Sequence, residues 1–251
     1  MPARGFVQWD AMSQDPPEAR FPTTRWSRVV AAADRADPAT REALAALCGD
    51  YWYPLYALIR RKGHDPERAL DLTQEYFARL LEKGVIAAAD RSKGRFRAFL
   101  RTDCGHFLAD QGDRARSLKR GGDRVILSID GGDAESRYRI EPVDDLTPER
   151  LFDRAWAVAL LDSVFARLER EYADTGRIAL FAKLKGVMTG DPARHTAIAA
   201  ELGTTEVAIE AASRQLRKRF REALREAISA TLDGPSALED EVRNLFAALA
   251  R

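Results

Sequence analysis

Apolar side chains recur along this chain with the three-to-four-residue period of a helix that buries one face. In "DPERALDLTQEYFARLLEK" the positions Ala69, Leu72, Tyr76, Phe77, Leu80 and Leu81 share a face, while Asp71, Gln74, Glu75 and Glu82 lie off it. Asp65-Pro66 ahead of them supplies an N-cap followed by a proline suited to a first helical turn. The preceding "YWYPLYALIRR" predicts an aromatic-rich helix able to pack on that face. A third stripe, Phe96, Phe99, Leu100, Cys104, Phe107 and Leu108, runs through "RFRAFLRTDCGHFLADQ". Gly121-Gly122, the short β-prone run "RVILSID" and Gly131-Gly132 then interrupt the pattern. Helix resumes at "DDLTPERLF", where Thr147-Pro148-Glu149-Arg150 marks a start, and continues to about residue 230 with a break near "TGDPARH". After Gly234-Pro235, "SALEDEVRNLFAALA" places Leu238, Val242, Leu245, Phe246 and Leu249 on a last apolar face, for which packing onto the second domain or a lid over a DNA-binding face are the two expectations.

The fold class expected is all-α: a loose tail over 1–20, a helical domain over 21–120, an acidic linker over 121–148, a second helical domain over 149–232 and a helical extension over 233–251. No internal repeat and no parallel-sheet pattern is visible.

Within the second domain, "TAIAAELGTTEVAIEAASRQLRKRFREAL" reads as two helices meeting at Gly203. Ile198 and Leu202 belong to the first, Thr204 or Thr205 caps the second, and Ile209, Ala212, Leu216 and Phe220 follow at helical spacing. That is helix-turn-helix spacing, shared with ordinary helical hairpins. The guanidiniums clustered after Arg214 favour the DNA-binding version, since they suit phosphates and guanine edges.

Charge sharpens the picture. The formal net charge is only +1, but nine bases face three acids over residues 91–120, and six face one over 214–225. Between them, residues 129–153 carry eight acids against three bases. Two basic blocks joined by an acidic segment suit a polyanion-binding protein with two contact modules. Cys48 and Cys104 lack metal-ligand or CxxC spacing, which predicts a reducing compartment and neither disulfide nor zinc site. No apolar run approaches a membrane span, so a cytoplasmic protein without membrane partners is expected. No nucleophile, metal set or phosphate loop appears, so neither enzymatic activity nor a cofactor is expected. Lone His106 fits a structural or solvent-facing role, and the Asp71/Glu75 pair suits a protein contact better than acid–base chemistry.

Together these residues resemble the sigma-70 family of bacterial RNA polymerase initiation factors, in its compact extracytoplasmic-function group. "YWYPLYALIRRKGHDPERALDLTQEYFARLLEK" is similar to that family's regions 2.1 and 2.2, and "GRFRAFLRTDCGHFLADQGDRARSLKRGG" to regions 2.3 and 2.4. "HTAIAAELGTTEVAIEAASRQLRKRFREAL" is similar to region 4.2, while "FPTTRWSRVV" and "DEVRNLFAAL" resemble extensions found in one branch. The resemblance implies that Asp71, Gln74 and Glu75 meet the clamp helices of the polymerase β′ subunit, with the β flap as a further polymerase contact. It implies that the loop over 89–95, with Ser92, Lys93 and Arg95, accepts a base flipped from the promoter −10 element. Phe96, Arg97, Arg101, Arg114 and Arg116 would line the melted strand and upstream duplex, although Phe96 also lies on the apolar stripe. Thr205, Glu206, Glu210, Arg214, Arg217 and Lys218 would face the −35 element in the major groove. An anti-sigma factor or a Ser/Thr kinase are the regulatory partners such a protein would have.

Two positions depart from the family pattern. Leu70 stands where an acid usually precedes the position of Asp71; Thr73 beside it would restore negative charge if phosphorylated. Glu210 stands where relatives often carry lysine; its carboxylate repels phosphate but can accept from cytosine N4. The alternative from another class is a stand-alone helix-turn-helix regulator that never joins polymerase.

Overall fold

The computed structural model describes residues 38–82, 96–117, 131–140, 146–186, 188, 194–230, 232 and 237–250; among them lie nine helices and no strand. Helix α1 (Pro38–Arg61) is the central rod, with every residue from 51 to 59 buried. Pro54 inside it cannot donate to the carbonyl one turn back, a loss of roughly 3 kcal/mol in a helix interior. Packing on several sides carries the helix through. Trp52 stacks on Phe77 of α2 (Pro66–Glu82), with ring centroids 5.4 Å apart, and Tyr51 meets Phe96 of α3 (Phe96–Ser117) edge-on at 5.4 Å. Tyr76 of α2 packs against Phe107 of α3 and donates its hydroxyl to the Leu100 carbonyl at 3.1 Å. The expected stripe of α2 is buried from Ala69 to Leu80, and Asp65 caps it through the Arg68 amide at 2.8 Å. Cys104 is enclosed in α3, and burial pushes its thiol up to about 12.

The segment expected to be an acidic linker contains a helix, α4 (Gly131–Ile140), docked on α1. Glu135 holds it there. Its carboxylate accepts from Arg60 Nε at 2.9 Å and a second Arg60 nitrogen at 3.1 Å, from the Tyr56 hydroxyl at 2.6 Å and from Arg139 at 3.2 Å. Tyr138 lies under the same Arg60 guanidinium at 4.8 Å. The Arg60 hydrogen bonds are the main reason that the Glu135 carboxyl falls from its ordinary 4.5 to about 2. A carboxylate lowered in this way stabilises the fold above its unfolded pKa, and the contribution fades as pH drops from 4.5 towards about 2. Glu135→Gln is therefore expected to lower urea resistance at neutral pH, with the gap to the parent protein closing across that acid range.

Helix α5 (Pro148–Asp174) starts where the sequence places it: Thr147 accepts from the Arg150 amide at 3.3 Å and Pro148 occupies the first turn. It runs antiparallel along α1, since Arg61 at the end of α1 donates to the Leu146 carbonyl at 2.8 Å just ahead of α5. Leu151, Phe152, Ala155, Trp156 and Leu160 are buried in this contact and its surroundings. Gly176, at φ +68°, closes α5 and leads to α6 (Ile178–Lys185), and its left-handed backbone suits glycine. Helices α7 (Arg194–Leu202) and α8 (Glu206–Ser229) follow, then α9 (Leu238–Leu249), which packs on α5 and α8.

The buried residues of these elements form one contiguous core. Helix α5 is shared by the two expected units: it lies along α1 and also carries α6, α8 and α9. The expectations for 1–20, and for the β-prone run at 124–130, fall outside the described residues.

Candidate nucleic-acid interface

Helices α7 and α8 meet at Gly203, the turn that the sequence predicts. Gly203 adopts φ +65°, and the Thr204 and Gly203 amides return to the Ala199 and Ala200 carbonyls at 2.9 and 3.4 Å. Those two bonds close α7 with a left-handed glycine and redirect the chain. Thr205, rather than Thr204, caps α8 by accepting from the Ala208 amide at 3.2 Å. Ile209, Ser213 and Leu216 are buried, and Phe220 packs against Phe165 of α5 with centroids 4.9 Å apart. Ile198 and Leu202 both lie on α7 as expected, Ile198 buried and Leu202 37 % exposed.

The outer face of α8 keeps Thr205, Glu206, Glu210, Arg214 and Lys218 in solvent, with Arg217 half-buried. Glu210 pairs with Arg214 at 3.3 Å, and Lys218 lies 3.9 Å from Glu222. Two of the later cations, though exposed, bridge to neighbouring helices. Arg219 binds Glu171 of α5 at 2.7 Å, Glu226 takes Arg167 of α5 at 2.6 Å, and Arg225 pairs with Glu239 of α9. Burial pushes the Glu171 carboxyl up, but hydrogen bonds from Arg219 and Arg167 outweigh it and hold it below its ordinary value. The basic run over 214–225 is thus a DNA-facing candidate at its start and a tertiary clamp at its end.

The second basic block resolves differently. Phe96 is core, at 4 % exposed, in agreement with its place on the stripe. Arg97, expected against the melted strand, is enclosed at 8 % exposed. Its Nε and one terminal nitrogen donate to Glu241 of α9 at 2.6 and 3.2 Å, and its other terminal nitrogen donates to Asp153 of α5 at 2.7 Å. The guanidinium lies 4.6 Å from the Trp156 ring centroid. Arg101, one turn along, shares Asp153 at 3.0 Å and is half-exposed. In this arrangement Arg97 is a buried structural cation, because two carboxylates remote in sequence converge on it. Ser92, Lys93 and Arg95 lie outside the described residues; Arg114 and Arg116 sit on the last turns of α3, and their side chains lie outside the description. His106 is exposed, consistent with a solvent-facing role.

At the candidate polymerase edge, Asp71, Gln74 and Glu75 are half-buried on α2. Glu75 accepts from the Gln111 amide of α3, so one carboxylate of this edge is tied to a neighbouring helix. Leu70 packs against the core. Thr73, expected as a modifiable neighbour of this edge, points inward instead: it is fully buried and donates its hydroxyl to the Ala69 carbonyl at 2.7 Å. A kinase cannot reach it in this packing, and a phosphate there would bury a dianion.

No family model, curated protein or solved structure matches this chain. Among the described residues, no three of His, Cys, Asp and Glu gather as a metal would require, and no helix is long and apolar enough to cross a membrane.

Three residues that complete the Arg97 cluster escaped the sequence reading: Asp153, Trp156 and Glu241. For Glu241 a signal existed. It lies three residues after Leu238 and one before Val242, on an apolar stripe where a carboxylate is out of place without a buried partner. The helix turns so that Glu241 faces inward at 1 % exposed, while Phe246, expected on the packed face, is 52 % exposed.

Proposed function

We propose that this chain is a promoter-specificity factor that joins core RNA polymerase and reads DNA with two helical surfaces. The observation that carries the proposal is the capped α7–α8 pair, with Thr205, Glu206, Glu210, Arg214 and Lys218 exposed along one edge of α8. Such an edge suits the major groove, where the amino-terminal turns of a second helix reach base edges and its cations reach phosphates. The half-buried acidic edge of α2, Asp71 with Glu75, supports docking on a polymerase surface, for which a stand-alone DNA binder has no use. The activity needs no covalent chemistry: the cost of unpairing promoter bases is offset by contacts to the extruded strand and to polymerase.

Glu210 fits this reading through its ion pair. Arg214 at 3.3 Å neutralises the carboxylate against neighbouring phosphates and orients an acceptor suited to a cytosine amino group. Glu210→Lys removes the repulsion and releases Arg214 to DNA. Duplex binding is expected to tighten by about tenfold at low salt, with a steeper salt dependence as more phosphates are neutralised. Fluorescence anisotropy across a salt series measures both, and an unchanged affinity and slope place α8 outside the groove.

A stand-alone regulator is the second reading, favoured by the Gln111–Glu75 contact, which engages one oxygen of this edge, and by the uncharged Leu70. Transcription from a random promoter library by core polymerase supplemented with this chain separates the two. Selected start sites with a common upstream sequence support the polymerase subunit, and an unselective background supports the regulator.

A further inference from the structure

Arg97 is held by its own chain as a guanidinium holds a phosphate. Nε and a terminal nitrogen grip the two Glu241 oxygens at 2.6 and 3.2 Å, a fork-on-fork contact that serves carboxylate and phosphate alike. Asp153 fixes the remaining terminal nitrogen at 2.7 Å, and Trp156 supports the guanidinium face at 4.6 Å. These two belong to α5 and remain if Glu241 departs. The seat is therefore preorganised by α3 and α5, while its occupant arrives on the last helix of the chain.

That last helix packs on α5 and α8 through a narrow apolar strip. Of its apolar positions Leu245 is fully enclosed, Leu238, Val242 and Leu249 are half-buried, and Phe246 is exposed. Its first turn carries Glu239, Asp240 and Glu241. Glu241 takes Arg97 of α3 and Glu239 takes Arg225 of α8, so one acidic turn engages a cation from each of the two candidate DNA-reading helices. A desolvated ion pair adds little net stability compared with an apolar contact of the same size, yet it is open to exchange for another anion that satisfies the same donors.

We propose that α9 is a built-in competitor of nucleic acid: the Glu241 carboxylate occupies an oxyanion seat on α3 that a backbone phosphate takes when α9 is displaced. The proposal rests on the reading that the chain holds DNA on two helical surfaces, and takes α3 as the second of them. With α9 displaced, Arg97 and Arg101, one helical turn apart, present two adjacent cations to the backbone of a single strand, with Trp156 still backing the Arg97 guanidinium. Release of Glu239 at the same moment frees Arg225, beyond the edge of α8 that is already in solvent.

The probe is a fluorescent oligo-dT single strand added to the full-length protein. Glu241→Gln weakens the clasp without changing its size, and is expected to bind the strand at least about tenfold more tightly than the parent. Adding Arg97→Gln to that variant is expected to remove the gain. Equal affinity of parent and Glu241→Gln overturns the proposal, as does a gain that survives Arg97→Gln. Should Glu241→Gln prove misfolded by circular dichroism, hydrogen exchange on the unmodified protein decides. Saturating oligonucleotide is expected to lower the protection of α9 amides, and unchanged protection overturns the proposal. Core-polymerase binding is measured separately: displacement of α9 without core binding keeps the competitor and discards the polymerase reading, and the reverse result discards the competitor alone.

Discussion

Trp156→Ala is expected to destabilise the protein by about 3–5 kcal/mol, the range for deleting a fully buried large aromatic side chain. Trp156 is 1 % exposed on α5, the helix that joins α1 to α8 and α9 in one core. The substitution leaves a cavity at that junction and removes the ring face on which the Arg97 guanidinium rests at 4.6 Å. Trp156→Phe, which keeps an aromatic face, is expected to lose less. Urea denaturation followed by circular dichroism measures the effect, and the shape of the transition carries as much information as its midpoint. A contiguous core unfolds in one cooperative step that shifts as a whole. Two independently packed domains would give two transitions, of which only one moved.

Arg97→Ala carries an expected loss of similar size, about 3–5 kcal/mol, for a different reason. The side chain donates to both oxygens of the buried Glu241 and to one oxygen of Asp153. Removing it withdraws these hydrogen bonds and leaves Glu241 where water does not replace them, since that residue is 1 % exposed. The double substitution Arg97→Met/Glu241→Met removes both charges together and is expected to cost clearly less than the sum of the single changes. A double-mutant cycle read by urea denaturation reports the coupling directly. Additive losses would mean that the two groups do not act as a pair.

Much of the helical layout was legible because it depends on neighbours in sequence. The buried stripe from Ala69 to Leu80, the caps at Asp65 and Thr147 and the turn at Gly203 each follow from residues within a few positions of one another. Thr73 was legible too. It falls between Leu72 and Tyr76 on the same face, and that spacing already argues for burial.

What the sequence concealed depends on distant partners. Residues 131–140 look like part of an acidic connector when their charges are counted locally, yet Glu135 meets Arg60 and Tyr56, which lie 75 and 79 positions away. Arg97 sits among cations and so looks like a phosphate contact, but its carboxylates lie 56 and 144 positions away. The run over 214–225 shows the same limit, since Glu171 and Glu239 neutralise its later members from other helices. A local excess of charge marks where counter-charge is needed; whether the chain or a ligand provides it is decided by the fold.

The central claim is that this chain acts as part of the transcription machine, and its most direct measurement is association with purified core RNA polymerase, followed by analytical ultracentrifugation from low to moderate salt. The account predicts a stoichiometric complex at low salt that weakens as salt rises, and that weakens further when Asp71 and Glu75 are both changed to alanine. A chain that sediments alone at every salt concentration, while still binding duplex DNA through α8, would contradict it.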